Sequence, residues 1–392
     1  MKQSFDFLCF SSTDWDELWG SRQQIMSRLA KRGHRIFFVE RPSGIEHILR
    51  YPHIRKNKIK RWKQGIQNIA DNVWLINLPP LFPGRYYSTN INMINQWITY
   101  TNIKRQLSTF EISSAILWIY NPEQSHLIGK FDERLSIYHC IDEYTAGTLG
   151  RKRKIIACLE KELLQRVDIV LANSLPTYQN KLGVNPNTYR LSSGVNYEQF
   201  SSPQKSEAIS SIFSTIPHPR LGYVGNLNER IDFKLLEGLA TYRPSWSFVF
   251  VGGTYPLSPN NPSIKRLKSI PNCYLLGSQP YQHIPAILDE FDVCFLPYVQ
   301  DERAYFRSPL KLYEYFATGK PVVSPPLPEP KEFSDVLYLA NTLEEFISAF
   351  ERSLNENNPL IENRRKSIAC QNSWDNKVDF IESVIQNHIR QT

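Results

Sequence analysis

Ser308-Pro309-Leu310-Lys311-Leu312-Tyr313-Glu314-Tyr315-Phe316-Ala317-Thr318-Gly319-Lys320-Pro321-Val322-Val323 reads as a short helix with both ends written into it. Ser308 suits the N-cap and Pro309 the first helical position. Gly319 can take the left-handed conformation after the last turn, Pro321 forbids continuation, and Val322-Val323 opens a buried strand. The N–H groups at the start of a helix attract anions, and Lys311 adds positive charge in that first turn. Glu314 lies three residues on, on the same face and roughly 4.5 Å further along the axis. The spacing suits a diphosphate at the helix start and a ribose diol beside the carboxylate. The plain alternative is an exposed i,i+3 ion pair on a capped helix.

Outward from this segment, the chain is long enough for two domains. With 41% hydrophobic and 21% charged residues it belongs with folded proteins, not disordered ones. No apolar run approaches a membrane-spanning length, and Asp6 interrupts the N-terminal apolar stretch, so that stretch is a first strand and not a signal peptide. Six cysteines without paired spacing, most of them in apolar runs, predict buried free thiols and a cytoplasmic protein. The net charge of +8 is partly local. Residues 50–63 carry Arg50, Arg55, Lys56, Lys58, Lys60, Arg61 and Lys63, interleaved with Tyr51, Ile54, Ile59 and Trp62 and free of acids. This stretch could meet an anionic surface, such as the inner face of a membrane; a solvated loop or helix is the plain alternative. No zinc spacing, RNP-like strand or helix-turn-helix pattern points to nucleic acid.

Short apolar strands alternate with amphipathic helices, which predicts doubly wound parallel sheets. One series runs through 5–10, 35–39, 73–78, 115–120, 135–141, 169–172 and 189–191. A second opens at 220–226 and runs through 247–251, 272–276, 293–296, 321–324 and 336–339. The polar, proline-bounded stretch 201–219 between them reads as a linker. Ligands of such sheets lie beyond the carboxyl ends of the strands, so the expected site is the cleft between two facing domains.

With these pieces in order, the chain resembles the GT-B-fold glycosyltransferases, in particular the large family-4-like group of bacterial polysaccharide and cell-envelope enzymes. The resemblance rests on the 309–323 segment, on Leu191-Ser192-Ser193-Gly194-Val195-Asn196, on Gly277-Ser278-Gln279-Pro280 and on Tyr138-His139-Cys140-Ile141-Asp142-Glu143-Tyr144. It implies an α/β, GT-B architecture of two Rossmann-like domains. The first would span 1–200, with a terminal helix 374–392 crossing back onto it, and the donor domain 215–373. It also implies transfer of a sugar from a nucleotide-diphosphate donor to a glycan or lipid-linked acceptor, by a hexosyltransferase-type enzyme without cofactor.

Carried over by position, Glu314 would bind ribose hydroxyls, and Lys311 with the backbone of Ser308, Pro309 and Leu310 would cradle the diphosphate. Gly225 and Asn226 would approach the phosphates, with Arg230 the nearest candidate for a basic partner. Gly277 and Ser278 belong to the loop that meets the base. The sequence departs from the pattern at Phe306, which stands where the first glutamate of the family's E-x7-E motif would be. That leaves the donor sugar and the choice of retention or inversion open. It also leaves open a binding or scaffold protein on this fold, or a nucleotide-sugar epimerase.

No Asp-x-Asp motif is present where a manganese-dependent family would place one, so metal independence is expected. If transfer inverts, a carboxylate must act as general base. Asp142, at the carboxyl end of the 135–141 strand, is the first candidate, ahead of Glu143 and Asp14; a turn or cap role is its plain alternative. Ser11, Ser12 and Arg22, after the first strand, could face an anionic acceptor or the donor phosphates; an ordinary solvent-facing arginine is the plain alternative for Arg22.

Overall fold

The computed structural model describes residues 4–391 apart from Leu18, Tyr51, Ser113, Ser114 and Lys205; of His47, Ile48, Arg50 and residues 52–56 only the backbone is described. The chain divides into a unit of Met1–Ser192 with Lys377–Thr392 and a second of Ser193–Asn376.

In the first unit the β-branched and aromatic runs form eight strands: β1 (Asp6–Phe10), β2 (Arg35–Val39), β3 (Gln67–Ala70), β4 (Val73–Ile76), β5 (Ile116–Ile119), β6 (Leu135–Cys140), β7 (Ile169–Ala172) and β8 (Thr188–Arg190). Their order is β3-β4-β2-β1-β5-β6-β7-β8. All neighbours pair in parallel except β3 with β4, and β1 through β7 are almost wholly buried apart from β3, as expected of strands covered on both faces. The edge strand β3 is missing from the sequence-based series because Ile69 is its only large apolar residue; a tight turn with Asn72 at φ 60 folds it back onto β4. The terminal helix Trp374–Gln391 is held to this unit by Lys377 to Ser192, 2.7 Å, and by Arg32 to Asp379 and Glu382, 2.7 and 2.6 Å.

The second unit is wholly parallel: β9 (Arg220–Val224), β10 (Ser247–Val251), β11 (Cys273–Gly277), β12 (Val293–Phe295), β13 (Val322–Ser324) and β14 (Tyr338–Leu339), in the order β11-β10-β9-β12-β13-β14. The expected linker is only partly one. Residues 207–213 form a helix whose Ile209 and Phe213, with Ile216, enter the core of this unit. Apolar residues at i, i+4 and i+7 outweigh the serines around them.

Two further expectations are corrected. Cys158 and Cys370 are exposed, while the other four cysteines are buried. The basic stretch folds as the helix Pro52–Gln64, and several of its groups are used within the protein. Lys58 binds Asp14, Arg61 binds Asp16 at 2.5 Å and Glu40 at 3.5 Å, and Trp62 Nε1 donates to Asn102 at 3.2 Å. Carboxylates from the β1 and β2 loops neutralise what the sequence alone shows as unpaired charge. Arg50, Tyr51, Ile54, Arg55 and Lys56 lie, in whole or side chain, outside the described residues. Among the described residues no helix is long and apolar enough to cross a membrane.

Candidate functional site

In both sheets the strand order reverses beside the first strand, between β1 and β5 and between β9 and β12. Such switch points are where open α/β sheets leave a crevice for ligands. The site is clearest in the second unit. The helix of the opening segment spans Leu310–Thr318 and ends at Gly319 in the left-handed conformation. Its N-terminus differs from expectation by one residue. Pro309 is the N-cap, and among the described residues no side chain caps the turn. Ser308 is drawn elsewhere: its hydroxyl donates to Glu329 at 2.9 Å and accepts the Ser193 N–H at 2.9 Å, while Ser193 Oγ donates to the Ser308 carbonyl at 2.8 Å. The turn around Ser193 thus fixes the approach to the helix and leaves its first N–H groups without a serine cap.

Lys311 lies against the loop after β9. A Cβ on Gly225, where φ is +149, would stand 2.2 Å from Lys311 Cε and 2.7 Å from the Tyr223 hydroxyl, so only glycine fits. The Lys311 ammonium lies 5.9 Å from the Tyr223 ring centroid. Arg230 and Arg307 also act electrostatically on the Tyr223 hydroxyl, so three cations gather at the end of β9. Arg307 escaped the sequence reading; its place directly before Ser308 was the only signal.

Three loops at the ends of β9, β10 and β11 are tied together. Gly225 N–H donates to Val251, Gly253 N–H to Asn226 Oδ1, and Gly252 N–H to Gly277, at 2.7, 3.1 and 2.8 Å. Asn226 therefore ties two loops, while Gly277 and Ser278 are exposed beside them. Leu310 is half-buried at the helix start.

Glu314 is 4% exposed, which removes the exposed-pair alternative. The Tyr281 hydroxyl donates to its Oε1 at 3.2 Å, and Asn196 Nδ2 donates to that hydroxyl at 3.3 Å. Burial pushes the Glu314 carboxyl up to about 7, against the opposing pull of Lys311 and the Tyr281 bond. Tyr281 was not singled out in the sequence, where it is one tyrosine of 20. Phe306 is half-buried and packs edge-on against Tyr305, with ring centroids 5.1 Å apart.

The switch point of the first unit gathers polar groups of its own. The Arg22 guanidinium sits 5.3 Å from the Tyr120 ring, and Tyr120 lies 5.0 Å from His139. Ser12 Oγ, Arg22 Nε, the Tyr120 hydroxyl and His139 Nδ1 are buried without a hydrogen-bond partner among the described residues. Burial and the Arg22 charge lower His139 to about 3, so it is neutral. Ser11 is a turn residue, its hydroxyl accepting the Thr13 N–H at 3.1 Å. Asp142 is exposed directly after β6. Glu143 is taken up by Lys181 at 2.9 Å and by Thr145 at 2.8 Å, and Asp14 by Lys58, so neither is suited to act as a base.

Parallel sheets with these switch-point loops have the two-domain GT-B fold, the fold of the solved structures to which the chain is similar. Residues 218–356 match the family model described as Glycosyl transferases group 1. The chain is 28% identical over 277 residues, 66% of its length and 68% of the relative's, to a Bacillus subtilis (strain 168) protein named as a teichuronic acid biosynthesis glycosyltransferase, TuaH. Among solved structures it is similar to sucrose-phosphate synthase from Thermosynechococcus elongatus, with a TM-score of 0.72 at 14% identity over 99% of this chain and 100% of that one. It is also similar to Anabaena HepE in complex with UDP and glucose, with a TM-score of 0.63 at 14% identity over 98% and 99% of the two chains.

Proposed function

We propose that this protein transfers a hexose from a nucleoside-diphosphate sugar to a glycan or lipid-linked acceptor during bacterial polysaccharide or cell-envelope synthesis. One observation carries the reading: the Lys311 ammonium is packed on the Gly225 loop at the start of a helix whose next turn holds a buried carboxylate, Glu314. Departure of a nucleoside diphosphate builds negative charge on the leaving oxygen. Lys311, Arg230, Arg307 and the helix N–H groups are the donors that would meet that charge, with no metal ion required. Ionised Glu314 accepts the ribose hydroxyls, and the exposed backbone of Gly277 and Ser278 meets the base. The acceptor belongs to the first unit, where Arg22 and Ser12 offer polar groups to it and Asp142 is the proposed base of an inverting reaction. Among the described side chains of the basic helix, the exposed Lys60 and Lys63 are the ones open to an anionic membrane face.

The name of the Bacillus relative supports the pathway, and the UDP in the Anabaena complex makes UDP-sugars the first donors to test. Thermal-shift titration should show a nucleoside diphosphate raising the melting temperature, followed by acceptor-dependent release of that diphosphate in the presence of EDTA. A chain that binds no nucleotide ends the proposal. Phe306 favours a second reading, a binding protein without chemistry. Tight donor binding with neither transfer nor hydrolysis would select it, and epimerised donor without acceptor would select an isomerase.

A further inference from the structure

The first half of the helix Thr89–Leu107 is built inside out. It buries Asn92, Asn95, Gln96 and Thr99, and it exposes Met93 (53%), Ile94 (49%) and Trp97 (66%). A surface helix ordinarily does the reverse. The buried polar stripe anchors the first half of the helix, while Ile103, Tyr100 and Leu107 pack its second half against the core. Asn95 exchanges two bonds with the Phe82 backbone at 2.8 and 2.9 Å, and Asn92 Nδ2 donates to the Glu123 carbonyl at 2.9 Å. The outward apolar stripe makes no contribution to this anchoring, and the exposed rings of Phe82 and Tyr87 extend it at the helix start.

Beneath this stripe lies a cavity of about 340 Å³. Met93, Trp97 and Tyr100 supply apolar walls, and His126, Lys130 and Arg166 supply a basic rim. Gln96 lines it as well, 5% exposed, with its Oε1 buried and lacking a hydrogen-bond partner among the described residues. One acid touches the rim: Glu162 lies 3.3 Å from His126 and 3.2 Å from Arg166. Asp132 also acts electrostatically on Lys104, but cations predominate among the described residues. Lys104 and Arg105 are exposed on the last turn of the same helix, and the Trp62–Asn102 bond sets the helix carrying exposed Lys60 and Lys63 alongside.

We infer that this face docks on an anionic phospholipid surface, with Met93, Ile94 and Trp97 entering the interfacial layer and the surrounding lysines and arginines meeting lipid phosphates. Apolar side chains centred on a tryptophan and bordered by cations have the chemistry of an interfacial helix, and the charge sign selects anionic lipid. The docking element is therefore the 89–107 helix, and the basic 52–64 helix is its flank. This assignment does not depend on the sugar-transfer reading, and its test needs no donor.

The full chain should co-sediment with vesicles of equal parts phosphatidylglycerol and phosphatidylcholine and not with phosphatidylcholine alone. Met93→Ser with Trp97→Ser should weaken that partition on the order of tenfold while leaving the melting temperature unchanged, because both side chains are exposed. Lys104→Glu with Arg105→Glu, an independent variant, should abolish the preference for anionic vesicles. Unmodified protein that ignores anionic vesicles, or a Met93→Ser/Trp97→Ser variant that binds them as well as the parent, overturns the inference. So does a sedimentation result in which that variant turns a dimer into a monomer with vesicle binding unaltered, since the face then joins two copies of the chain.

Discussion

Replacing Glu314 by glutamine should make the protein more stable at alkaline pH and worse at binding nucleotide. The carboxyl is buried, and its pKa is raised from the ordinary 4.5 to about 7. Because the folded value lies above the unfolded one, the neutral side chain contributes stability that is complete below about pH 4.5. That contribution is lost as pH rises through 7. The difference corresponds to on the order of 3 kcal/mol between pH 4 and pH 8. Glutamine cannot ionise, so Glu314→Gln escapes the loss. For a unit of this size the variant should melt at least about 5 °C above the parent at pH 8, with the gap closing near pH 5.

On the proposed donor site, the ionised form is the one that would accept two hydroxyl hydrogen bonds from a ribose. The substitution should therefore cost about 2 to 3 kcal/mol of nucleotide binding, roughly a hundredfold in Kd. In the parent, affinity should weaken about tenfold for each pH unit below 7, whereas in the variant it should be flat. Differential scanning fluorimetry from pH 5 to 9, with calorimetric titration of UDP at the same values, measures both. A variant no more stable than the parent at pH 8, or one that binds UDP equally well at that pH, would falsify the assignment of Glu314.

Lys311→Met should weaken nucleoside-diphosphate binding by about tenfold to a hundredfold and leave nucleoside binding unaltered, a contrast that calorimetry resolves. Gly225→Ala forces a methyl into Lys311 and should lower diphosphate affinity and melting temperature together; if the nucleotide still binds normally, the loop is not a phosphate loop. Asp142→Asn should cut kcat by 10²-fold or more with donor affinity unchanged if transfer inverts, and intact turnover removes it as the base. Arg365→Met strands Glu356, its partner at 2.6 Å, in the interior and should destabilise the protein by about 3 to 5 kcal/mol, readable in urea melts.

The architecture was open to reading because the strands are nearly continuous apolar runs and the punctuation is strong. Pro309, Gly319 and Pro321 bracket their helix in the sequence as they do in space. What stayed hidden depends on partners far away in the chain. Ser308 has the chemistry of an N-cap, but Glu329 and Ser193 compete for its hydroxyl and the cap moves to Pro309. Lys58 and Arg61 look like free surface charge until Asp14, Asp16 and Glu40 meet them. Tyr281 and Arg307 join the site through tertiary packing that no local pattern encodes.

Two of the places where the chain breaks the burial rules are places where ligands are proposed. A carboxylate buried beside one lysine costs stability, and asparagines packed inward beneath an exposed tryptophan invert the ordinary economy of a helix. The asparagines anchor the helix, but folding alone supplies no reason for the buried carboxylate or for the exposed tryptophan. A leucine at 314 would fill the helix face, and exchanging the inward and outward residues of 89–107 would bury Trp97. Local choices that contradict the fold persist where function compensates for them. The compensation differs in kind. At Glu314 a ribose diol would replace the water that the carboxylate has lost, which predicts stabilisation by a soluble nucleotide. At Trp97 the missing partner is an apolar layer, so vesicles, and not nucleotide, should protect that helix from hydrogen exchange. If one ligand protected both regions to the same degree, the two sites would not be independent, and the separation drawn between donor binding and membrane docking would fail.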